Sequence, residues 1–303
     1  MSVQDDGKEE KIMDEKKSVQ KVKKTGEFYT FIRRLSKNKS GVIGLAIFLI
    51  LVALSIVGPM MVSYQYDAID IGSRYLSPSV EHPFGTDQLG RDILSRILYG
   101  GRYSLSLGVL SVGVALVISI VLGTIAGYFG GIVDTLIIRF LDIIQSIPSL
   151  LIAIIMSAVL GTGFGMTIIA LAVPCVSGYT RVLRAQVMQT SSSEYVEAAT
   201  SLSVSRFKIM FRHILPNTWT PLIVSATMGV ATAVLSASAL SFIGLGIQSP
   251  LPEWGAMLAG SRDYMRDYPY MVIIPGLFIM ITVLGLNMFG DAVRDVLDPK
   301  LKD

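Results

Sequence analysis

Few residues in this 303-residue chain have the types and spacing that catalysis requires. The chain contains two histidines, His82 and His213, and one cysteine, Cys175. It has no H-E-x-x-H zinc motif, no G-x-S-x-G nucleophile motif and no G-x-x-x-x-G-K-[ST] phosphate-binding loop. One cysteine excludes a disulfide within the chain and a cysteine-rich metal site. The sequence therefore predicts no catalytic residue, no metal site and no nucleotide bound in the usual P-loop manner.

One polar stretch is instead suited to contact with another protein: residues 194–217, EYVEAATSLSVSRFKIMFRHILPN. We predict two short amphipathic helices there, separated by a break near Ser203. Ser191 and Glu194 fit a capping box at the start of the first helix, and Pro216 ends the second. The predicted apolar faces are Tyr195, Ala198, Ala199 and Leu202 in the first helix, and Phe207, Met210, Phe211 and Ile214 in the second.

The first of these faces is built mainly from small side chains. Ala198 and Ala199 let another protein surface approach closely, and they bury too little apolar area to hold a fold together. This favours a docking helix over a core helix. His213 is interpreted as a polar residue of the loop surface rather than as a ligand.

The rest of the chain has the composition of a membrane protein. Hydrophobic residues make up 51% of it and charged residues only 16%, whereas soluble domains carry about 25% charged residues. The mean hydropathy is +0.58. The net charge of +3 is small, and the basic residues flank hydrophobic segments, so the sequence predicts contact with membrane lipid and no nucleic-acid binding.

Six segments are long and apolar enough to cross about 30 Å of hydrocarbon as helices. They are residues 41–63, 103–128, 133–158, 162–180, 218–245 and 271–291. The third carries Asp134, Arg139 and Asp142; the last two can pair with each other or reach the interface. The first apolar run lies behind a charged tail and is too long for a cleavable signal peptide.

The segments outside the spans follow from composition. The predicted organisation is a disordered cytoplasmic tail (1–25), an amphipathic interfacial helix (26–40), the first span (41–63), an extracytoplasmic loop (64–102), a five-helix transmembrane domain (103–291) with a cytoplasmic loop (181–217), and a cytoplasmic tail (292–303). In residues 26–40, Phe28, Phe31, Ile32 and Leu35 recur at helical spacing. The alternative for this segment is a plain juxtamembrane linker.

Orientation follows from the basic residues beside the spans. Three regions on one side of a six-span topology are rich in lysine and arginine: Arg33, Arg34, Lys37 and Lys39; Arg181, Arg184, Arg206, Lys208 and Arg212; and Arg294, Lys300 and Lys302. Such flanks are typical of the cytoplasmic side. We therefore predict that both termini are cytoplasmic.

Small residues recur at spacings that suit helix packing in lipid. Gly123/Gly127 and Gly161/Gly165 are two such pairs. The fifth span is rich in serine and alanine. Its serines either allow close helix packing or line a substrate pathway, and the pathway candidates are Ser236, Ser238 and Ser241.

The polar stretch also carries a resemblance. Glu197, Ala198 and Ala199, followed at this spacing by Leu215 and Pro216, resemble the EAA loop of ABC-importer permeases. In that family the loop forms a coupling helix that binds a groove of the cytoplasmic ATPase. The resemblance implies that the coupling residues are Glu194, Tyr195, Glu197, Ala198, Ala199, Leu202, Ser203, Leu215 and Pro216. The chain departs from the pattern at Ser203, where the family usually has glycine.

Three further stretches narrow the resemblance. HPFGTDQLGRDILSRILYGGRYSLSLG (82–108), LSFIGLGIQSPLPEWGAML (240–258) and NMFGDAVRDVLDPKL (287–301) resemble the C-type permease subunit of dipeptide and oligopeptide ABC importers, over about residues 26–303. Residues 82–108 form either an outer gate or docking edge, or an interfacial helix that Thr86 or Asp87 caps and in which Asp92 pairs with Arg96. The outer candidates are Phe84, Gly85, Thr86, Asp87, Gly90, Arg91, Asp92, Glu253 and Trp254, with Trp254 interpreted as an interfacial anchor.

This resemblance implies an all-α membrane protein with the type I importer fold, half of a peptide-translocation pathway and not itself an enzyme. The implied partners are a homologous second permease, two ATPase subunits that bind ATP and Mg, and an extracytoplasmic substrate-binding protein. The implied location is the plasma membrane of a bacterium or archaeon. Nickel chelates and glutathione are alternative substrates, and a membrane scaffold or a secondary transporter are alternative classes.

Overall fold

The computed structural model describes residues 29 and 31–297. In this part of the chain the only strand-like pairing is an isolated bridge between Thr86 and Asp92. The helices of eight or more residues are α1 (Lys39–Val57), α2 (Ile93–Phe129), α3 (Gly131–Gln145), α4 (Ser149–Leu160), α5 (Phe164–Ser191), α6 (Glu194–Ser201), α7 (Trp219–Phe242), α8 (Trp254–Ser261) and α9 (Tyr270–Leu297). The all-helical prediction is confirmed.

Five of these helices are long and apolar enough to cross a membrane: α1, α2, α5, α7 and α9. A sixth crossing exists only if α3 and α4 are taken together, and these two are bent by 88°. The segment 133–158, predicted as the third span, is therefore two helices joined at a bend rather than one straight helix. Pro148 lies at the bend, lacks an N–H, and disfavours helical geometry in Ile147 before it.

Two spans are longer than hydrophobicity alone indicates. Helix α2 has 37 residues, about 55 Å at 1.5 Å per residue, and so exceeds the hydrocarbon thickness of about 30 Å. Its first turns therefore belong to the segment predicted as loop. Helix α5 continues to Ser191, so the first third of the predicted loop 181–217 is helical.

The glycine pair Gly123/Gly127 brings α2 against α5, as predicted. A Cβ at Gly123 would lie 2.9 Å from the Thr180 carbonyl oxygen, and one at Gly127 would lie 2.8 Å from that of Arg184. The second predicted pair is wrong. Gly161 ends α4 with φ = +90°, and a Cβ at Gly161 or Gly165 would meet no atom within 4 Å. Gly161 is thus a turn residue rather than a packing residue.

Two ion pairs hold α3 against α5. The Arg184 guanidinium pairs with Asp134, and that of Arg181 pairs with Asp142. Arg139, the partner considered for Asp142 from the sequence, lies 3.8 Å from it and is largely exposed. Because both strong pairs join different helices, they fix the position of the long helix that leads into α6.

The terminal predictions are covered only in part. The predicted tail 1–25 and residues 298–303 lie outside the described residues. Residues 31–35 are helical, with Phe31 and Leu35 half-buried and Ile32 exposed. The predicted carboxyl-terminal tail begins inside α9, since that helix continues to Leu297.

Candidate functional site

Helix α6 forms the predicted first helix of the EAA stretch, but a different serine begins it. Its N-cap residue is Ser193, in an extended conformation. The Ser191 hydroxyl donates instead to the Val187 carbonyl at 2.7 Å, because Ser191 is still part of α5. The predicted Ser191 capping box is wrong. Glu194 and Glu197 do lie in the first turn, where carboxylates complement the helix dipole.

The side of α6 that packs on the protein differs from the predicted apolar face. Val196 and Ala199 are buried in a core cluster with α2 and α5 residues. Tyr195, Ala198 and Leu202 are exposed. Ala199 therefore holds the helix against its own chain, and the prediction that it shares one face with Ala198 is wrong. A hydrophobic pattern alone does not reveal that Val196 sets the buried side.

A left-handed residue ends the helix. The Ser203 N–H donates to the Thr200 carbonyl at 2.9 Å, and the Val204 N–H donates to the Ala199 carbonyl at 3.2 Å. These two bonds form a Schellman motif whose C′ position is Ser203, with φ = +56°. Val204 packs on the same core cluster as Ala199. The chain thus makes the sharp turn expected at this position, with serine in a conformation that glycine favours.

Substitutions at Ser203 should reveal this strain. A serine in the left-handed region is strained by roughly 1 kcal/mol relative to glycine. We expect Ser203→Gly to leave the thermal stability of the assembled complex equal or slightly higher, with transport retained. Ser203→Val should lower the stability by about 1–3 kcal/mol, because β-branched residues are outliers at positive φ.

Ser203→Asn is the control for this series, since asparagine tolerates positive φ. The Ser203 hydroxyl does not cap the next helix, since Ser205 is the N-cap residue there. Equal melting temperatures for Val and Ser at position 203 would show that the turn is unstrained.

The segment after the turn is not a regular α-helix. It consists of one turn (Arg206–Lys208), a π-helix (Ile209–Ile214) and a 3-10 turn (Leu215–Asn217). A π-helix has more residues per turn, so the predicted spacing of Phe207, Met210, Phe211 and Ile214 does not place them on one face. Met210 and Ile214 are buried together with Ile209, whereas both phenylalanines are exposed.

The loop therefore leaves five apolar side chains exposed, and we call this set the docking surface after the role proposed below: Tyr195, Ala198, Leu202, Phe207 and Phe211. Leu202 is 78% exposed, Phe207 71% and Phe211 59%. The Tyr195 hydroxyl donates to the His213 carbonyl at 3.4 Å, which links α6 to the following segment. Leu215 is buried and Pro216 exposed. Large exposed apolar patches are typical of surfaces that contact another protein or a membrane.

The predicted outer residues 84–92 fold over the start of α2, and we call this segment the cap, as distinct from the N-cap residue of the helix. Asp92 caps that helix: its Oδ2 accepts from the Ser95 N–H at 2.7 Å, and its Oδ1 lies 3.0 Å from His82 Nδ1. Arg96 does not pair with Asp92 but lies 3.6 Å from Asp87. The predicted cap by Thr86 or Asp87 is therefore wrong.

Asp87 and Thr86 instead stabilise the turns of this cap. Asp87 Oδ2 accepts from Arg91 Nε at 2.7 Å, and Thr86 Oγ1 accepts from the Leu76 N–H at 2.8 Å. Gly85 and Gly90 both have φ = +75°, and a Cβ at Gly90 would lie 1.7 Å from the Asp70 carbonyl oxygen. Phe84 packs edge-on to Phe278 of α9. Most of the polar atoms of these residues are engaged within the cap.

Glu253 and Trp254 are buried rather than interfacial. The Glu253 carboxylate caps α8 through the Ala256 N–H at 2.8 Å and accepts from Ser104 Oγ at 3.2 Å. Burial raises the pKa of Glu253 above its usual range. Trp254 is 1% exposed, and its Nε1 donates to the Ile97 carbonyl at 3.0 Å. The interpretation of Trp254 as an interfacial anchor is wrong.

The serines of α7 mostly serve packing. Ser238 and Ser241 are buried; Ser238 Oγ donates to the Val234 carbonyl, and Ser241 Oγ accepts from the Ile247 N–H. Ser236 is half-buried. The packing alternative is therefore favoured for Ser238 and Ser241.

A cavity with several polar side chains in its lining lies at the bend between α3 and α4. The sequence patterns did not predict it. Its volume is about 490 Å³. The polar groups in its lining come from four helices, α3, α4, α5 and α7: Gln145, Ser149, Tyr179, Ser225 and Thr232. The sequence feature that could have predicted this cavity is Pro148, which lies between the polar residues Gln145 and Ser149 inside an apolar run. Among residues 29 and 31–297, no cluster of three His, Cys, Asp or Glu residues is placed to hold a metal ion.

Comparison with known proteins identifies the family. Residues 119–303 match the model of the binding-protein-dependent transport system inner membrane component, and residues 28–78 match that of the N-terminal TM domain of oligopeptide transport permease C.

Curated relatives agree over most of the chain. The dipeptide transport system permease protein of Alkalihalophilus pseudofirmus is 44% identical over 89% of both chains. The oligopeptide transport system permease protein of Bacillus subtilis is 37% identical over 89% of this chain and 88% of the relative. The glutathione transport system permease protein of Pectobacterium atrosepticum is 41% identical over 79% of this chain and 78% of the relative.

The fold agrees as well. A chain of the MetNI methionine ABC transporter, in an inward-facing conformation, superposes with a TM-score of 0.54 at 19% identity, over 66% of this chain and 96% of that one. Since the family model covers more than half of the chain and the relatives cover 79–89% of it, the chain belongs to the inner-membrane components of binding-protein-dependent transport systems.

Proposed function

We propose that this chain is one half of the translocation pathway of an ATP-driven importer of dipeptides or oligopeptides. A homologous permease forms the other half, two ATPase subunits bind ATP and Mg below, and an extracytoplasmic binding protein delivers the substrate. The relatives named for dipeptide and oligopeptide transport support the substrate class. The chain itself carries the coupling element and not the energy source.

The observation that carries this proposal is the docking surface. In a loop that faces water, Leu202, Phe207 and Phe211 would be exposed at a cost, because apolar area is left in contact with solvent. An ATPase groove that covers them removes this cost. Since α5 runs into α6 and α5 is held by the Arg181–Asp142 and Arg184–Asp134 pairs, motion of the ATPase is transmitted to the spans as a rigid-body movement.

The proposal requires that the docking surface is cytoplasmic and the cap extracytoplasmic. In a Cys175→Ser background, we expect an impermeant maleimide to label Val80→Cys in intact cells and not Thr200→Cys. Both positions are exposed. Gly85, in the same predicted outer loop as Val80, is unsuitable for a cysteine because a Cβ there would clash with the Leu76 carbonyl. Permeabilised cells should label both. Labelling of position 200 from outside intact cells would reverse the topology.

Uptake by the reconstituted complex tests the function itself. Proteoliposomes that contain both permeases and both ATPases should accumulate a labelled dipeptide only with ATP and the binding protein. Unlabelled dipeptide, tetrapeptide and glutathione, added in turn as competitors, distinguish the substrate classes. Loss of uptake after collapse of the proton gradient, with ATP held constant, would indicate a secondary transporter. Failure to retain any ATPase would indicate a scaffold.

A further inference from the structure

The cavity at the bend between α3 and α4 contains hydrogen-bond donors that the protein does not use. None of the described residues that line it is charged. Its volume of about 490 Å³ lies within the range of small-molecule sites, roughly 300–1,000 Å³. A cavity of this size, open between membrane-spanning helices, with a mostly apolar lining and a few uncharged polar groups, is suited to a small solute.

The first donors are backbone N–H groups of α4. Pro148 precedes this 12-residue helix, and no side chain caps it. The first intrahelical bond runs from the Ile152 N–H to the Pro148 carbonyl at 3.1 Å. The N–H groups of residues 149–151 therefore precede the hydrogen-bonded ladder. Pro148 and Ser149 line the cavity, so the start of α4 borders it, and a helix N-terminus favours a negatively charged group.

An independent donor comes from α5. Tyr179 is only 8% exposed and lines the same cavity. Its hydroxyl lies against Gly229, where a Cβ would approach it to 1.8 Å. Among the described residues the Tyr179 hydroxyl forms no hydrogen bond, and its oxygen is not sealed inside the protein, so it is free to donate into the cavity that the residue lines. An oxygen acceptor in the cavity would satisfy it.

We propose that this cavity binds the terminal carboxylate of a short peptide in transit, through the start of α4 and the Tyr179 hydroxyl. This inference rests on the proposed function and adds a site within the pathway. The carboxylate accepts from both donors, and the absence of an acidic residue in the described lining avoids repulsion. The Gln145 carboxamide, held by Ser177 Oγ at 3.1 Å, adds a further polar group for the peptide backbone.

Direct binding to the assembled importer tests the proposal. The complex of both permeases and both ATPases, without binding protein and nucleotide, is placed in nanodiscs and titrated with labelled Ala-Phe or Ala-Phe-amide. Tyr179→Phe removes one hydroxyl and keeps the ring against Gly229. It should raise the Kd for Ala-Phe about tenfold, the usual effect of one lost hydrogen bond to a charged group. The amide should bind more weakly than the acid, and Tyr179→Phe should weaken its binding less, because the amide oxygen accepts a hydrogen bond without a charge.

A cavity-filling variant gives a second readout. A Cβ at Gly178 would meet no atom within 4 Å, and Gly178 lines the cavity, so the side chain of Gly178→Leu starts in open space and should weaken binding by occupying part of the cavity. Gly165→Leu, on the same helix but outside the cavity, is its control, and Tyr128→Phe is the control for Tyr179→Phe.

Three results would overturn the inference: no saturable binding of Ala-Phe to the wild-type complex at millimolar concentration, equal affinity for acid and amide, or an unchanged Kd in Tyr179→Phe and Gly178→Leu. Binding-protein-dependent uptake is measured on the same preparation. If uptake persists in any of these cases, the carboxylate site is wrong and the proposed function stands. If the wild-type complex shows no uptake, the proposed function fails.

Discussion

Replacing Ala198 with arginine is expected to abolish ATP-driven uptake and to release the ATPase subunits, while the permease stays inserted and folded. Ala198 is exposed on α6, between Tyr195 and Leu202 of the docking surface. In the assembled complex this methyl group would be covered by the ATPase. A long charged side chain then clashes or is buried unpaired, which costs about 3–5 kcal/mol. Such a loss weakens association by roughly 10² to 4 × 10³-fold.

The measurement is the ratio of ATPase to permease after affinity purification, together with peptide uptake. Ala198→Ser is the small control and should behave as the wild type. Ala199→Arg provides the contrast: because Ala199 is buried in the core cluster, it should lower the thermal stability of the permease itself. A normal ATPase ratio and normal uptake in Ala198→Arg would refute the docking surface.

Replacing Trp254 with alanine is expected to be the most destabilising change among the outer residues. The indole is almost fully buried, packs 5.8 Å from the Phe278 ring and donates to the Ile97 carbonyl. Removing a buried Trp side chain typically costs about 3–5 kcal/mol, since the transfer energy is lost and a cavity remains. The stability of Trp254→Phe should lie between those of the wild type and Trp254→Ala, because phenylalanine keeps an aromatic ring and loses the Nε1 donor.

The chain offers a matched control in Trp219, its second tryptophan, which is 39% exposed. Trp219→Ala should have a much smaller effect on the unfolding temperature of the complex, as followed by circular dichroism. Were Trp254 an interfacial anchor, the two alanine variants would melt at similar temperatures. Equal melting temperatures would therefore contradict the buried packing.

Several features are encoded locally, and these the sequence predicts correctly. Long uncharged runs must be helical in lipid, since every backbone polar group has to be paired within the segment. Gly123 and Gly127 mark the α2–α5 contact because only a missing side chain allows that approach. The turn at Ser203 follows from the position where the resembling family has glycine, and the serine does adopt positive φ.

Prolines show where local information ends. Pro148 separates α3 from α4, whereas Pro174 and Pro275 lie within continuous helices. Each proline removes the same N–H and disfavours the same geometry in the residue before it. Whether the chain bends depends on whether neighbouring helices hold it straight and satisfy the freed carbonyl, which is a tertiary property.

The sequence by itself determined the helical membrane architecture, the position of the polar loop 194–217 and the family. Only the tertiary structure decided that Ala198 faces outward while Ala199 faces inward, because the buried side of α6 depends on the α2 and α5 residues packed against Val196. It likewise decided that Trp254 is buried, because Gly100 lets the Pro252 carbonyl approach α2 to within 1.8 Å of where a Cβ would lie. Hydrophobic periodicity describes one helix at a time, whereas burial depends on contacts between residues about 150 positions apart.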